Sequence, residues 1–249
     1  MPDNNIIQEK KYSLGRTLSL SLFIFIAFSI FQIFILFVVL FLSDFDLTNI
    51  SSNPNIIENE SYNHISTISS ISGLFGILLT IYLCKYIVNS TVKSITYNEI
   101  LPLKKPDFKE TFSWLFILIS FSLFSSIVYK WLGNINDVEF TNQVLENSSN
   151  LILLFYGIGI AQPIFEEFLF RGILFKGLLN KLGGLKTVLI TSFLFVLPHI
   201  QYDISILIFI LLPNALILGF SRLKTKSLTV PIILHCTNNI LTLVVGILN

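Results

Sequence analysis

The chain alternates long charge-free apolar runs with short polar connections, and the runs are longer than a strand or a soluble core helix needs. Thr17–Ser43 carries no charge at all. Comparable runs cover about Ile65–Leu83, Thr111–Tyr129, a stretch starting near Leu151, then Thr187–Gln201, Ile204–Phe220 and Ser227–Leu248. About 20 mainly apolar residues cross the hydrocarbon core of a bilayer as a helix, and fewer suffice where neighbouring helices cover the ends. The pattern predicts an all-α fold, a polytopic integral membrane helical bundle of about seven transmembrane helices. The first run is too long for a signal-peptide core and lacks a small-residue cleavage pattern, so it is expected to be retained.

Composition agrees. Of 249 residues, 53% are hydrophobic and only 12% are charged, against roughly 25% charged in an average soluble domain. One soluble core could not hide that much apolar surface, so lipid must solvate the excess. A soluble enzyme, a disordered regulator and a nucleic-acid-binding module are excluded, and no nucleic acid is expected as a partner. Cys84 and Cys236 both lie in apolar stretches, which rules out a secreted disulfide framework.

The net charge of +1 is uninformative as a total, but its distribution is not. With the N-terminus cytoplasmic, the inner segments receive Lys10, Lys11 and Arg16, then Lys85, Lys93, Lys104, Lys105 and Lys109. They also receive Arg171, Lys176, Lys181, Lys186, Arg222, Lys224 and Lys226, which leaves only Lys130 outside. The outer connections hold Asp44, Asp46, Glu58, Glu60, Asp137, Glu139, Glu146 and Asp203. Adding or removing one helix would scramble this sorting, so the positive-inside rule supports seven spans. Residues 1–150 form a cytoplasmic tail and three spans, and residues 151–249 form a core of about four spans, within one membrane domain.

The informative residues are polar ones at membrane depth. A charged side chain at mid-bilayer costs at least about 2.5–3.5 kcal/mol and marks function by default. The fourth run contains Glu166-Glu167-Phe168-Leu169-Phe170-Arg171. Glu167 and Arg171 are four apart, share a helical face and can pair. Glu166 points about 100° away and lacks that partner. The spacing predicts one structural carboxylate and one working one. The fifth run supplies Phe195-Val196-Leu197-Pro198-His199, and the seventh supplies His235 and Asn239 on one face.

Measured from the inner charges at about 1.5 Å per residue, His199 and Asn239 lie roughly 20 Å deep, His235 about 14 Å and Glu166 about 8–15 Å. These depths overlap toward the inner leaflet and the middle of the bilayer, so one polar cavity can hold all four. A carboxylate, two imidazoles and an amide, with no Ser or Cys nucleophile in a recognisable setting, point to activated water. Glu166 would be the general base and His199 would orient the water. His235 and Asn239 would stabilise the oxyanion of amide hydrolysis. No metal is required by this scheme. If zinc is used, Glu166, His199 and His235 are the ligand set, with an open position for water.

The stretches EEFLFRG, FVLPH and HCTNN match in order the motifs Glu-Glu-x-x-x-Arg, Phe-x-x-x-His and His-x-x-x-Asn. On these the chain resembles the CPBP family of intramembrane proteases (CAAX protease and bacteriocin-processing, also Abi), which includes CAAX prenyl protease 2 and lysostaphin resistance protein A-like proteins. The resemblance covers about residues 151–245. It implies Glu166 as catalytic glutamate, Glu167 with Arg171 as the neighbouring ion pair, His199 as the second-motif histidine, and His235 with Asn239 as the third-motif pair. The family is often labelled metalloprotease, and a metal-free, glutamate-activated water is also proposed for it. The expected activity is therefore an intramembrane endopeptidase acting on a membrane-bound or lipidated, CAAX-like protein or peptide, in a bacterial plasma membrane. The alternative is a non-catalytic immunity or signalling partner on the same fold.

Overall fold

The computed structural model describes residues 14–43, 60–61, 63–90, 96–132, 144–148, 150–200 and 202–248. Among the described residues the regular structure is helical, with no strand. Lys10, Lys11, Asp44, Asp46, Glu58, Lys93, Asp137 and Glu139, used above in the charge sorting, lie outside them, as does Gln201.

Seven helices follow the seven apolar runs. The first span is Leu14–Leu42, the second Ile65–Ser90 and the third Phe108–Leu132. The fourth is Leu151–Leu182, the fifth Gly184–His199, the sixth Ile204–Thr225 and the seventh Thr229–Leu248. All but the fifth are long and apolar enough to cross a bilayer, and the chain is a multi-pass integral membrane protein. The fifth has 13 residues of α-helix and a 3-residue 3₁₀ turn. That is roughly 25 Å at the usual rises, short of the ~30 Å hydrocarbon core.

Each span divides its surface between protein and lipid. The first buries Thr17, Ser21, Ile24, Phe28 and Ile35, a stripe repeating every three, four or seven residues, which is one side of a helix. Its other side exposes Phe23, Ile30, Phe34, Phe37 and Phe41, which lipid solvates. The second span reaches the fourth through small residues. A Cβ on Gly73 would lie 2.8 Å from that of Ala161, so the backbones meet there, and the Ser70 hydroxyl donates to the Leu153 carbonyl at 2.9 Å.

The fourth and sixth spans contain widened π-helical turns at Gly157–Ala161 and Leu207–Leu211. Each ends two residues before a proline, Pro163 or Pro213. Proline has no N–H to return to the carbonyl four residues back, and its ring crowds that carbonyl, so the ladder loosens upstream. Single π turns of this kind are frequent at functional sites. A third, Phe168–Leu174, follows the glutamate pair without a proline.

Candidate active site

Glu166 and Glu167 are neighbours in sequence and strangers in environment. The Glu167 side chain is fully buried and takes a hydrogen bond from an Arg171 guanidinium nitrogen at 3.0 Å. The spacing-based pairing is therefore formed. Arg171 is equally buried; its second terminal nitrogen donates to the Ala215 carbonyl at 3.1 Å, and its guanidinium lies 4.3 Å from the Phe195 ring centre. Ser192 donates to the same Ala215 carbonyl at 2.9 Å. A buried charge needs this much support, because losing its partner leaves it unsolvated.

The seventh span brings His235 onto this pair. Its Nδ1 lies 3.0 Å from Glu167 Oε1. A carboxylate that already accepts from Arg171 can only accept again, so Nδ1 carries the proton. The tautomer leaves Nε2 facing Glu166, whose Oε2 is 3.7 Å away. The Glu166 side chain is 22% exposed and lines a cavity of about 370 Å³. His199, at the last position of the fifth helix, donates from Nδ1 to the Phe195 carbonyl at 3.0 Å, which directs Nε2 away from its own helix. His199, His235 and Asn239 line the same cavity. The structure thus brings together all four residues that the sequence placed at overlapping depth.

Asn239 is anchored by its own helix's neighbour: Nδ2 donates to the Ile158 carbonyl at 3.0 Å. Ile158 lies in the π turn upstream of Pro163. The Cys236 thiol reaches the Ile160 carbonyl of that turn at 3.9 Å. Two side chains of the seventh span therefore satisfy carbonyls where the fourth span's ladder is loosened, the condition for irregular backbone at membrane depth.

Several contributors had no role assigned from sequence, Phe195 of the Phe-x-x-x-His motif among them. Phe195 is the hub: its ring centre is 5.3 Å from that of His199 and 5.4 Å from that of His235. Tyr202 stacks on His199 with centres 6.3 Å apart. Gln162, Asn214 and Asn238 add amides to the wall. Gln162 sits four residues before Glu166 on the same face, a signal that was available. Asn214 lies in the otherwise largely apolar run Ile204–Phe220.

A zinc set of Glu166, His199 and His235 has suitable donors, with each Nδ1 engaged and each Nε2 available. Among the described residues, however, no three His, Cys, Asp or Glu side chains are grouped closely enough to hold a metal ion. As placed, these side chains do not form a zinc site. Every residue from Phe168 to Leu174 is buried, so the inner side of the glutamate pair is filled with protein.

Residues 148–241 match the family described as Type II CAAX prenyl endopeptidase Rce1-like. The chain is also 26% identical over 178 residues to the membrane-embedded CAAX protease MroQ of Staphylococcus aureus (strain USA300), covering 66% of this chain and 68% of that protein. Over these residues the chain is similar to the CAAX protease family. No solved structure matches it. The segment matched to the CAAX protease family contains Glu166, Glu167, Arg171, His199, His235 and Asn239, together with Phe195, Tyr202 and Asn214.

Proposed function

We propose that this chain is an intramembrane endopeptidase that hydrolyses a peptide bond of a membrane-bound or lipidated, CAAX-like substrate with a water activated by Glu166. The observation that carries the reading is the contact of one imidazole with two unlike carboxylates: His235 holds buried Glu167 on Nδ1 and faces cavity-lining Glu166 with Nε2.

Glu166 Oε2 faces His235 Nε2 across a 3.7 Å gap. Hydrolysis needs Glu166 ionised as the base and His235 Nε2–H as a donor. Glu166 then removes a proton from water, oriented by His199, as the water oxygen bonds to the substrate carbonyl carbon. The oxyanion formed is met by His235 Nε2–H and by the Asn239 amide. The proton on Glu166 passes to the leaving amine as the C–N bond breaks. Glu167 and Arg171 touch no reacting atom; they are positioning residues that fix the His235 tautomer.

The test uses the purified protein in liposomes with a prenylated CAAX-type fluorogenic peptide. Glu166→Gln should lower kcat by about 10²–10⁴-fold, the usual worth of a general base, with unchanged thermal unfolding. Full activity of Glu166→Gln would end the proposal. Bacterial plasma-membrane location follows the Staphylococcus relative and the short connections.

A further inference from the structure

The cavity is not centred on the carboxylates but runs from them toward one face of the membrane. Its wall includes Ile65 and Ser69 at the start of the second span and Ile158 near the start of the fourth. It also includes Tyr202 and Ile206 at the turn into the sixth span, and Thr242 near the end of the seventh. These ends share the face whose described connections carry Glu60, Glu146 and Asp203. No lining residue comes from the opposite ends of the spans, where Arg16, Lys85, Lys104, Lys186 and Lys224 lie.

Two features of the fold explain this polarity. The fifth helix ends at His199, short of a full crossing, so among the described residues its helix does not continue past the histidine on that face. On the other side Phe168–Leu174 are all buried, and Phe170 meets Phe195 edge to face at 5.4 Å. That aromatic floor, with the Glu167–Arg171 pair inside it, separates the cavity from the lysine-rich face.

We infer that the site is entered from the acid-bearing face, which the charge distribution makes the outer face, and that its substrates are peptide segments presented at the outer side of the membrane. This rests on the protease reading for the word substrate, but the direction of access rests on packing alone. A lipidated peptide in the outer leaflet and a translocated segment both satisfy it; a C-terminal peptide held at the cytoplasmic surface does not.

Access is measured without any substrate. In a full-length Cys84→Ala, Cys236→Ser background, a single cysteine is placed in the cavity wall at Ser69 or Asn238, and at exposed Lys186 on the inner face as control. Intact cells and inverted vesicles are treated with a trimethylammonium methanethiosulfonate, whose fixed charge does not cross the hydrocarbon core. Ser69→Cys and Asn238→Cys should react more than about tenfold faster from outside, and Lys186→Cys only from inside, because the probe is excluded by the charge-transfer cost. Cavity cysteines that react only from inside, or from neither side while the control reacts, would overturn the inference. Labelling from outside together with an active Glu166→Gln enzyme would keep the access route and discard the protease reading.

Discussion

The fourth span is one continuous helix with two different neighbourhoods. In its first half, Ile158, Gln162 and Glu166 recur every four residues and line the cavity. In its second half, every position from Glu167 to Phe175 is buried. The boundary falls between two adjacent glutamates. Residue type and membrane depth are thus nearly the same for Glu166 and Glu167, and what separates their work is which side of the helix meets a cavity. Removing one partner of a buried ion pair costs about 3–5 kcal/mol, because the other charge stays behind unsolvated. Glu167→Ala should therefore be far more damaging to the fold than any change at Glu166, lowering unfolding free energy by that amount in reversible denaturation in detergent. Joint replacement, Glu167→Gln with Arg171→Met, should recover most of the loss, since replacing both partners removes the stranded charge. Glu166→Gln should shift stability by less than about 0.5 kcal/mol, as for a partly exposed carboxylate with no partner within hydrogen-bond distance. Equal destabilisation at the two positions would break the distinction.

Much of this was legible in the sequence, for identifiable reasons. Lipid forces apolar runs of fixed length, so the number of spans is written in hydropathy. Charge is so rare that Glu166, Glu167 and Arg171 stand out, and four-residue spacing is enough to pair the last two. The third dimension was harder. The direction of the cavity depends on the fifth helix stopping at His199 and on Phe170 and Phe195 meeting edge to face at 5.4 Å. Apolar residues that seal a floor look in sequence like apolar residues that face lipid. The π turns were half legible: Pro163 and Pro213 announce an interrupted ladder, but not that it widens rather than bends.

The cavity-side half is sharpened by Asn239, which is held by the π-turn carbonyl of Ile158. Asn239→Ala should reduce kcat by about 10²–10³-fold, the range found for removing one oxyanion donor, with KM for the same fluorogenic peptide little changed. A rise in KM at constant kcat would instead mean that Asn239 binds the substrate equally in ground and transition states. Pro163→Ala probes the same contact indirectly. It supplies the missing N–H and favours a regular helix, since proline is about 3 kcal/mol poorer than alanine in a helix interior. Stability should hold or rise while activity falls roughly tenfold to a hundredfold, the scale on which small displacements misalign reacting groups. A more stable variant with unaltered kcat would show that the π turn is a packing accident.

The smallest effect is expected where the protein meets lipid. Phe165 stacks on Phe28 with ring centres 4.1 Å apart and is 2% exposed, whereas Phe37 is 62% exposed. Phe165→Ala should cost about 3–5 kcal/mol through lost contacts and a cavity. Phe37→Ala should cost less than about 0.5 kcal/mol and leave cleavage unchanged. The reason lies in the reference state. A membrane helix that has lost its partners is still in the bilayer, so a lipid-facing ring meets lipid before and after unfolding and contributes little to the difference. Phe165 exchanges lipid for a fitted aromatic partner and does contribute. Comparable losses at the two phenylalanines, measured in the same denaturation series, would mean that the first span's exposed face is covered by protein in the membrane.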